Sequence, residues 1–355
     1  MGFKINVQPS QHIIEAEVGE SILDAALRQG LMLPYGCRDG ACGSCRGKVL
    51  SGQYDHGKAS KDTLSEADRS AGWALFCCTV AQGDLTIESR ELRSAQDVPV
   101  KTLPARVQKL TRAAHDVMIV ELKLPATERL QFFAGQYIEI LLKDGRRRAF
   151  SLANAPHDDA CLQLHIRHAP GGQFTDHVFN SMKERDILRL NGPHGNFFLR
   201  EDSAKPMLLV AGGTGFAPIK AIVEHAIAEN LTRPMDIYWG GRERADLYLL
   251  PVAERWALEH PAIRFVPVLS ETPQCEKWCG RIGFVHAAAM QDFPDLSGHQ
   301  VYVCGSPAMV AAARRDFVGQ CKLPENEFFA DSFEYANDDA SSAPSPARTP
   351  STIAG

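Results

Sequence analysis

The sequence predicts a multidomain α+β chain in three folded parts: a small α+β unit, an antiparallel β-barrel or sandwich, and a doubly wound α/β domain. Short alternating strands and one helix open the chain. Short strands split by Gly, Pro and Asp clusters fill the middle, and apolar strands alternating with amphipathic helices close it. A length of 355 residues allows two or three domains. Apolar content of 45% and charged content of 23% are those of an ordinary globular protein. The net charge of −5 is mild, so neither nucleic acid nor a membrane surface is expected as a partner. The start, "MGFKINVQPS", lacks a basic region followed by an apolar run, and no stretch approaches the roughly 18 apolar residues of a spanning helix. A cytoplasmic location is expected.

The first part is expected over 1–92. "FKINV" and "HIIEAEV" read as strands joined by a Pro-Ser turn. "SILDAALRQG" reads as a helix with Ser21 as N-cap, Asp24 in a capping-box position and Gly30 as the stop. "DLTIES" reads as the closing strand. A polar, proline-bearing stretch at 93–103 is expected to be a linker. The barrel is expected over 104–202, from "ARVQKL", "VMIVELKL", "QYIEILL", "RAFSLA" and "CLQLHIR", with "FTDHVFNSM" helical. The α/β domain is expected over 203–335, with "MLLVAGG", "MDIYWGG", "IRFVPVL" and "QVYVCG" as its strands. The remaining 336–355, rich in Ser, Pro and Ala, is expected to be disordered.

The loop "YGCRDGACGSC" packs three of the ten cysteines into nine residues. A disulfide staple is disfavoured in a reducing cytosol. A zinc site wants a second C-x2–4-C pair or two histidines, and the later Cys77 and Cys78 are adjacent instead. The spacing Cys37-x4-Cys42-x2-Cys45 matches the plant-type [2Fe–2S] run. Gly36, Gly40 and Gly43 leave backbone N–H groups able to face cluster sulfurs. The whole segment resembles the plant-type ferredoxin domains fused to oxygenase reductases, which implies a β-grasp fold. Through the Leu-x-Cys context of "LFCC", the resemblance places the fourth ligand at Cys77 and makes Cys78 a bystander.

"RRRAFSLANAP" contains Arg148-x-Phe150-Ser151, which resembles the R-x-[YF]-S flavin signature of the ferredoxin–NADP reductase superfamily. The resemblance implies that Arg148 neutralises phosphate, Phe150 stacks on the flavin and Ser151 hydrogen-bonds near its N5. In "LQLHIRHAPGGQFTDHV" it implies that Gly171, Gly172 and Thr175 grip the flavin pyrophosphate, with His165, Ile166 and Arg167 along the flavin. FAD is favoured over FMN by the domain order alone. "MLLVAGGTGFAPIKAI" matches the superfamily's dinucleotide segment through Gly212, Gly213, Thr214, Gly215 and Pro218; glycines there let a pyrophosphate approach a helix N-terminus. In "VYVCGSPAM", Ser306 and Pro307 read as N-cap and N1. The resemblance sets Cys304, with Gly305 and Met309, beside the nicotinamide, and Phe333 over the flavin face. Ser151 and Cys304 are thus the expected catalytic residues. Cys161, Cys275, Cys279 and Cys321 are read as structural.

Nicotinamide gives up a two-electron hydride and a 2Fe–2S cluster takes one electron, whereas a flavin handles both. Chemistry therefore orders the path from NAD(P)H to FAD, then the cluster, then a partner. The arrangement is similar to the reductase components of phenol and benzoate oxygenases, and more so to CDP-6-deoxy-Δ3,4-glucoseen reductases. That group implies a pyridoxamine-phosphate-dependent sugar dehydrase as electron acceptor; an oxygenase component is the alternative, and a free flavin or quinone reductase a further one. Arg242 and Arg244 offer a 2′-phosphate contact for NADPH, against the family's implied NADH.

Overall fold

This computed structural model describes residues 2–29, 31, 33–34, 40, 45–59, 63–89, 98–271, 278 and 280–333. The first domain contains β1 (Phe3–Gln8), β2 (His12–Ala16), α1 (Ile22–Arg28), β3 (Arg46–Ser51), β4 (Tyr54–Asp55), α2 (Glu66–Ser70), β5 (Trp73–Leu75), β6 (Val80–Ala81) and β7 (Leu85–Glu88). Its mixed sheet runs β2-β1-β7-β3-β5, with β1 and β7 parallel. The apolar face of α1 (Ile22, Leu23, Ala25, Ala26) is buried with Ile5, Val7 and Ile87 of the sheet, the β-grasp arrangement. Ser21 caps the helix as its spacing predicts: its hydroxyl accepts from the Asp24 N–H and donates to the Asp24 carboxylate at 2.6 Å. Gln29 is the C-cap, and the expected stop, Gly30, lies outside the described residues.

The second domain contains β8 (Lys101–Ala114), β9 (Val117–Lys123), β10 (Tyr137–Leu141), β11 (Arg147–Ser151), β12 (Leu162–Arg167), α3 (Gln173–Asn180) and β13 (Ile187–His194). Every pairing in the order β11-β10-β13-β8-β9-β12 is antiparallel. The two edges then meet: Leu152 bridges Leu164, and the Ala153 N–H donates to Gln163 O at 2.8 Å. That closure makes it a barrel and removes the sandwich alternative. The long strand β8 starts at Lys101, inside the stretch expected as linker.

The third domain contains β14 (Met207–Gly212), α4 (Phe216–Ala228), β15 (Met235–Gly241), α5 (Leu250–Glu259), β16 (Ile263–Leu269), β17 (Arg281–Ile282), α6 (Val285–Asp292), β18 (Gln300–Gly305), α7 (Pro307–Gly319) and β19 (Phe328–Ser332). Its parallel sheet runs β17-β16-β15-β14-β18-β19, with α4 and α5 over one face and α6 and α7 over the other. The order reverses between β14 and β18, and ligands of such sheets bind at that crevice. Ser306 caps α7, accepting from the Met309 N–H with Pro307 at the first position. Strand β19 is an element beyond the four strands expected of this domain. It runs along β18 and carries Asp331 and Ser332 back to the barrel.

The domains touch directly. Gln131 Nε2 donates to Leu33 O at 2.6 Å, and Lys220 Nζ on α4 donates to Ala153 O at 3.1 Å. The expected disordered tail and residues 93–97 lie outside the described residues, as do Cys275 and Cys279.

Candidate electron-transfer site

The thiol pocket is built by the pairing of β3 with β5. Cys45 immediately precedes β3 and Cys77 follows β5, and the Phe76 N–H donates to Cys45 O at 3.0 Å. Their Sγ atoms are thereby held 3.2 Å apart, too far for a disulfide bond of about 2.05 Å. Both side chains are buried, as a cluster's hydrophobic surroundings require. Cys37 and Cys42 lie outside the described residues. Cys78 is also buried, with Sγ 3.6 Å from that of Cys77. A Cβ added at Gly40 would come within 2.7 Å of Cys78 Sγ, and φ there is +85°, so this position beside Cys78 suits glycine alone.

A cavity of about 480 Å³ opens against the barrel. Strand β11 lines it with Arg148, Phe150 and Ser151, and β12 with His165 and Arg167. Side chains alternate along a strand, so Ile166 points the other way and is buried in the barrel core rather than along the cavity. Gly172, the N-cap of α3, and Thr175 complete this wall; Gly171 takes a positive φ in the turn but is not part of the lining. Thr175 has another task besides facing the cavity. Its hydroxyl lies 2.9 Å from Ala169 O and 3.2 Å from the Ala169 N–H, tying the turn to the helix. First-turn N–H groups of α3 are then the anion donors the helix offers.

Two half-buried polar groups at this cavity, Asp331 in its lining and Tyr248 against His165, are not marked by the sequence motifs. Ser151 Oγ donates to Asp331 Oδ2 at 3.3 Å, and burial lifts the Asp331 carboxyl above its usual range, against the pull of that hydrogen bond. His165 Nδ1 meets Tyr248 OH at 2.9 Å and its Nε2 meets Gln163 Oε1 at 3.2 Å. Burial, helped by the Lys220 charge, pushes His165 down to about 3, so the imidazole is neutral. The amide oxygen of Gln163 accepts, which puts the proton on Nε2 and leaves Nδ1 to accept from Tyr248. The "ENEFFADSF" segment was the available signal for Asp331; nothing local marks Tyr248.

A second cavity, about 420 Å³, lies at the end of β14. Gly212, Gly213, Thr214, Gly305 and Met309 line it, whereas Gly215 and Pro218 are buried beneath. A Cβ at Gly215 would sit 2.1 Å from Cys304 O, so β18 and the turn touch backbone to backbone. Trp239 Nε1 donates to Gly213 O at 2.9 Å and its ring stacks on Phe216 at 3.8 Å, fixing the turn from below. Cys304 is fully buried and lines neither cavity, which differs from the expected place beside the nicotinamide. Strand alternation explains it: Gly305 faces the cavity and the preceding side chain turns inward. Burial, then the charge of Asp331, push the Cys304 thiol well above its normal range.

The two cavities share Arg167, Thr214 and Phe333. Arg167 Nε lies 3.0 Å from Asp116 Oδ2, and its NH2 group lies 3.8 Å from Asp246 Oδ1. Phe333, with its N–H on Gly305 O at 2.9 Å, stands between the cavities. Arg242 lines the second cavity and binds Asp246 through Nε at 3.0 Å and its backbone N–H at 2.9 Å. Burial works against the Asp246 charge, but Arg242 holds its carboxyl below the usual range. Arg244 is exposed and lines neither cavity.

Two adjoining cavities, one on a barrel and one at the switch point of a parallel sheet, with buried thiols in a third domain, define the layout of a modular electron-transfer flavoprotein. Comparison with known proteins gives the same division. Residues 5–82 match the 2Fe-2S iron-sulfur cluster binding domain, 104–199 the oxidoreductase FAD-binding domain, and 209–315 the oxidoreductase NAD-binding domain. The chain is 40% identical over 333 residues to CDP-6-deoxy-L-threo-D-glycero-4-hexulose-3-dehydrase reductase of Yersinia pseudotuberculosis, covering 94% of this chain and 99% of the relative. It is 34% identical to the reductase component 2 of terephthalate 1,2-dioxygenase from Comamonas, over 94% and 98%. Among solved structures, the ferredoxin reductase in carbazole 1,9a-dioxygenase aligns with a TM-score of 0.61 and 25% identity, over 94% and 99%.

The chain belongs to the family of reductases in which a 2Fe–2S domain is joined to FAD- and NAD-binding oxidoreductase domains. It is an NAD(P)H-dependent flavin and iron–sulfur electron-transfer reductase, and the related proteins serve dehydrase or oxygenase partners. Among the described residues, no helix is long and apolar enough to cross a membrane.

Proposed function

We propose that this reductase passes electrons from NADH to a pyridoxamine-phosphate-dependent sugar dehydrase in the cytoplasm. The observation that carries this reading is the 40% identity to a hexulose-3-dehydrase reductase across nearly the full length of both chains. In this reading Cys37, Cys42, Cys45 and Cys77 hold the cluster. Arg148, Phe150, Ser151, His165, Arg167, Gly172 and Thr175 hold FAD, and Gly212, Gly213, Thr214, Gly305 and Met309 the dinucleotide. Bound FAD supplies the change between two-electron and one-electron transfer. Ser151, tied to Asp331, presents a positioned hydroxyl to the flavin cavity. Cys304 acts as a positioning residue beneath Gly305 rather than by contact. Phe333 screens one cavity from the other and yields when the nicotinamide enters.

The preference for NADH rests on Arg242. Its guanidinium is already paired with the buried Asp246 carboxylate, so a 2′-phosphate must compete for it. An oxygenase component as acceptor is the second reading, favoured by the terephthalate dioxygenase relative.

The test is anaerobic. Stepwise NADH is expected to bleach the flavin absorbance and to raise a reduced-cluster paramagnetic signal together. Cys77→Ser is expected to abolish that signal and Cys78→Ser to retain it; the reverse would move the fourth ligand to Cys78. Reduced holoenzyme is then mixed with a sugar dehydrase or an oxygenase component. Faster reoxidation by the oxygenase would replace the dehydrase reading, and rapid turnover on free flavin with a silent cluster would replace both.

A further inference from the structure

Three side chains from two domains converge at the end of α4 remote from the glycine turn. His157 comes from the connection between β11 and β12, His225 from the last turn of α4, and Glu229 caps that helix. At 1.5 Å per residue, His225 is about 14 Å along the helix from Phe216. This is a separate place from either cavity. One ligand atom from each of the three side chains lies within 4.8 Å of the others. The His157 and His225 rings stack, 5.9 Å between centroids.

The hydrogen bonding fixes what these atoms offer. His225 Nε2 lies 2.9 Å from Glu201 Oε1. A carboxylate oxygen accepts, so Nε2 carries the proton and Nδ1 presents a lone pair. That lone pair faces Glu229 Oε1 at 4.0 Å, and the two side chains are only 6% and 5% exposed. Neither atom has a hydrogen-bond partner. Two acceptors facing each other out of water, with no donor between them, are costly unless a proton or a cation lies between them. Another acid–histidine group, His115 with Glu243 and Asp246, offers no comparable case, because Arg242 and Arg167 already neutralise Asp246.

We propose that His157, His225 and Glu229 bind one divalent transition cation of the Zn²⁺ class, which pins α4 to the flavin barrel. Two imidazole nitrogens and a carboxylate oxygen suit zinc, whereas magnesium and calcium want oxygen throughout. Glu201 stands behind His225 as the carboxylate that sets the ligating nitrogen. Bonds of about 2.0–2.1 Å in a tetrahedron place ligand atoms roughly 3.4 Å apart. His225 and Glu229 therefore close by about half an ångström, and His157, on an exposed turn, swings in as the third ligand. The turn itself is firm, since Asn154 Nδ2 donates to Asp158 O at 2.7 Å and the Asp158 N–H to Ala155 O at 3.0 Å. Lys220 on the same helix already ties α4 to Ala153, two residues beyond Ser151. A cation at His225 adds a second tie on the joint that sets one cavity against the other.

Calorimetric titration of the FAD- and cluster-loaded protein with ZnCl₂ tests this, with iron and flavin content followed in parallel. One equivalent is expected to bind. His157→Asn and Glu229→Gln are each expected to lose at least as much affinity as Glu201→Gln, about 10–100-fold, with iron and flavin unchanged. Zinc is also expected to raise the melting temperature of the parent protein and not that of His157→Asn. Binding that survives His157→Asn at full strength is adventitious and overturns the proposal, as does a parent protein that takes up no zinc below millimolar concentration. Should Glu229→Gln fail to fold, the exposed His157 decides by itself.

Discussion

The two cavities share a wall yet are made of different materials. The barrel cavity is made largely by side chains: β11 and β12 present guanidinium groups, a ring, a hydroxyl and an imidazole to it. The cavity at the end of β14 is rich in glycine, with Gly212, Gly213, Gly240, Gly241, Gly283 and Gly305 in its lining. A side-chain site can be weakened one contact at a time. A glycine-lined site is tight in another way: an added Cβ would press on Met309 at Gly212 and Gly305, on Arg167 at Gly213 and on Val285 at Gly240, so each change displaces a neighbour.

Beneath that lining, Gly215 is where a Cβ would meet main chain outright. Gly215→Ala is expected to cost about 3 kcal/mol, at the upper end for overpacking, because its Cβ would meet Cys304 O. Denaturant melts measure the loss, and a raised KM for NADH accompanies it. On the barrel side, Arg148→Ala is expected to weaken FAD binding by roughly tenfold to a hundredfold, the worth of a charge-assisted hydrogen bond. Stability of the apoprotein should barely move. If Arg148→Ala unfolds the protein, or Gly215→Ala leaves it unchanged, the contrast fails.

Asp246→Asn frees Arg242 and is expected to raise the NADPH-to-NADH ratio of kcat/KM by about tenfold, one such bond's worth. No change in that ratio would remove Arg242 from the specificity argument. His165 gives a pH test. Its folded pKa of about 3 lies below the ordinary 6.5, so the neutral ring favours folding above pH 6.5. That contribution is lost as pH falls from 6.5 toward 3. His165→Gln is expected to flatten the decline of the urea midpoint across this window. The smallest effect is expected from Thr175→Val, about 1 kcal/mol, from losing the hydroxyl that ties the turn at Ala169.

Much of this was legible in the chain because the signals are local. The Cys37-x4-Cys42-x2-Cys45 spacing, the Arg-x-Phe-Ser strand and the Gly-Gly-Thr-Gly turn each lie within one short segment, where a fixed backbone shape dictates residue type. Ser21 and Ser306 as helix caps were legible for the same reason. Element ends and edge strands were less so: β8 ran back into the expected linker, and β19 carries no clean alternation that would mark it as the sixth parallel strand.

The sequence by itself determined the three-part division through periodicity and the cluster loop through cysteine spacing; its motifs carried the flavin and nicotinamide classes only through their resemblance to the ferredoxin–NADP reductase superfamily, and the electron count of each group then ordered the flow. Only the tertiary structure decided which way the side chains of a strand turn. It sent Ile166 into the barrel core and Cys304 away from both cavities, because alternation fixes the period but packing fixes the phase. It alone brought Asp331 to Ser151, 180 residues apart, and Tyr248 to His165, 83 apart. No local pattern encodes such meetings. They exist because separate domains bury polar groups against one another, and each buried group then needs a partner.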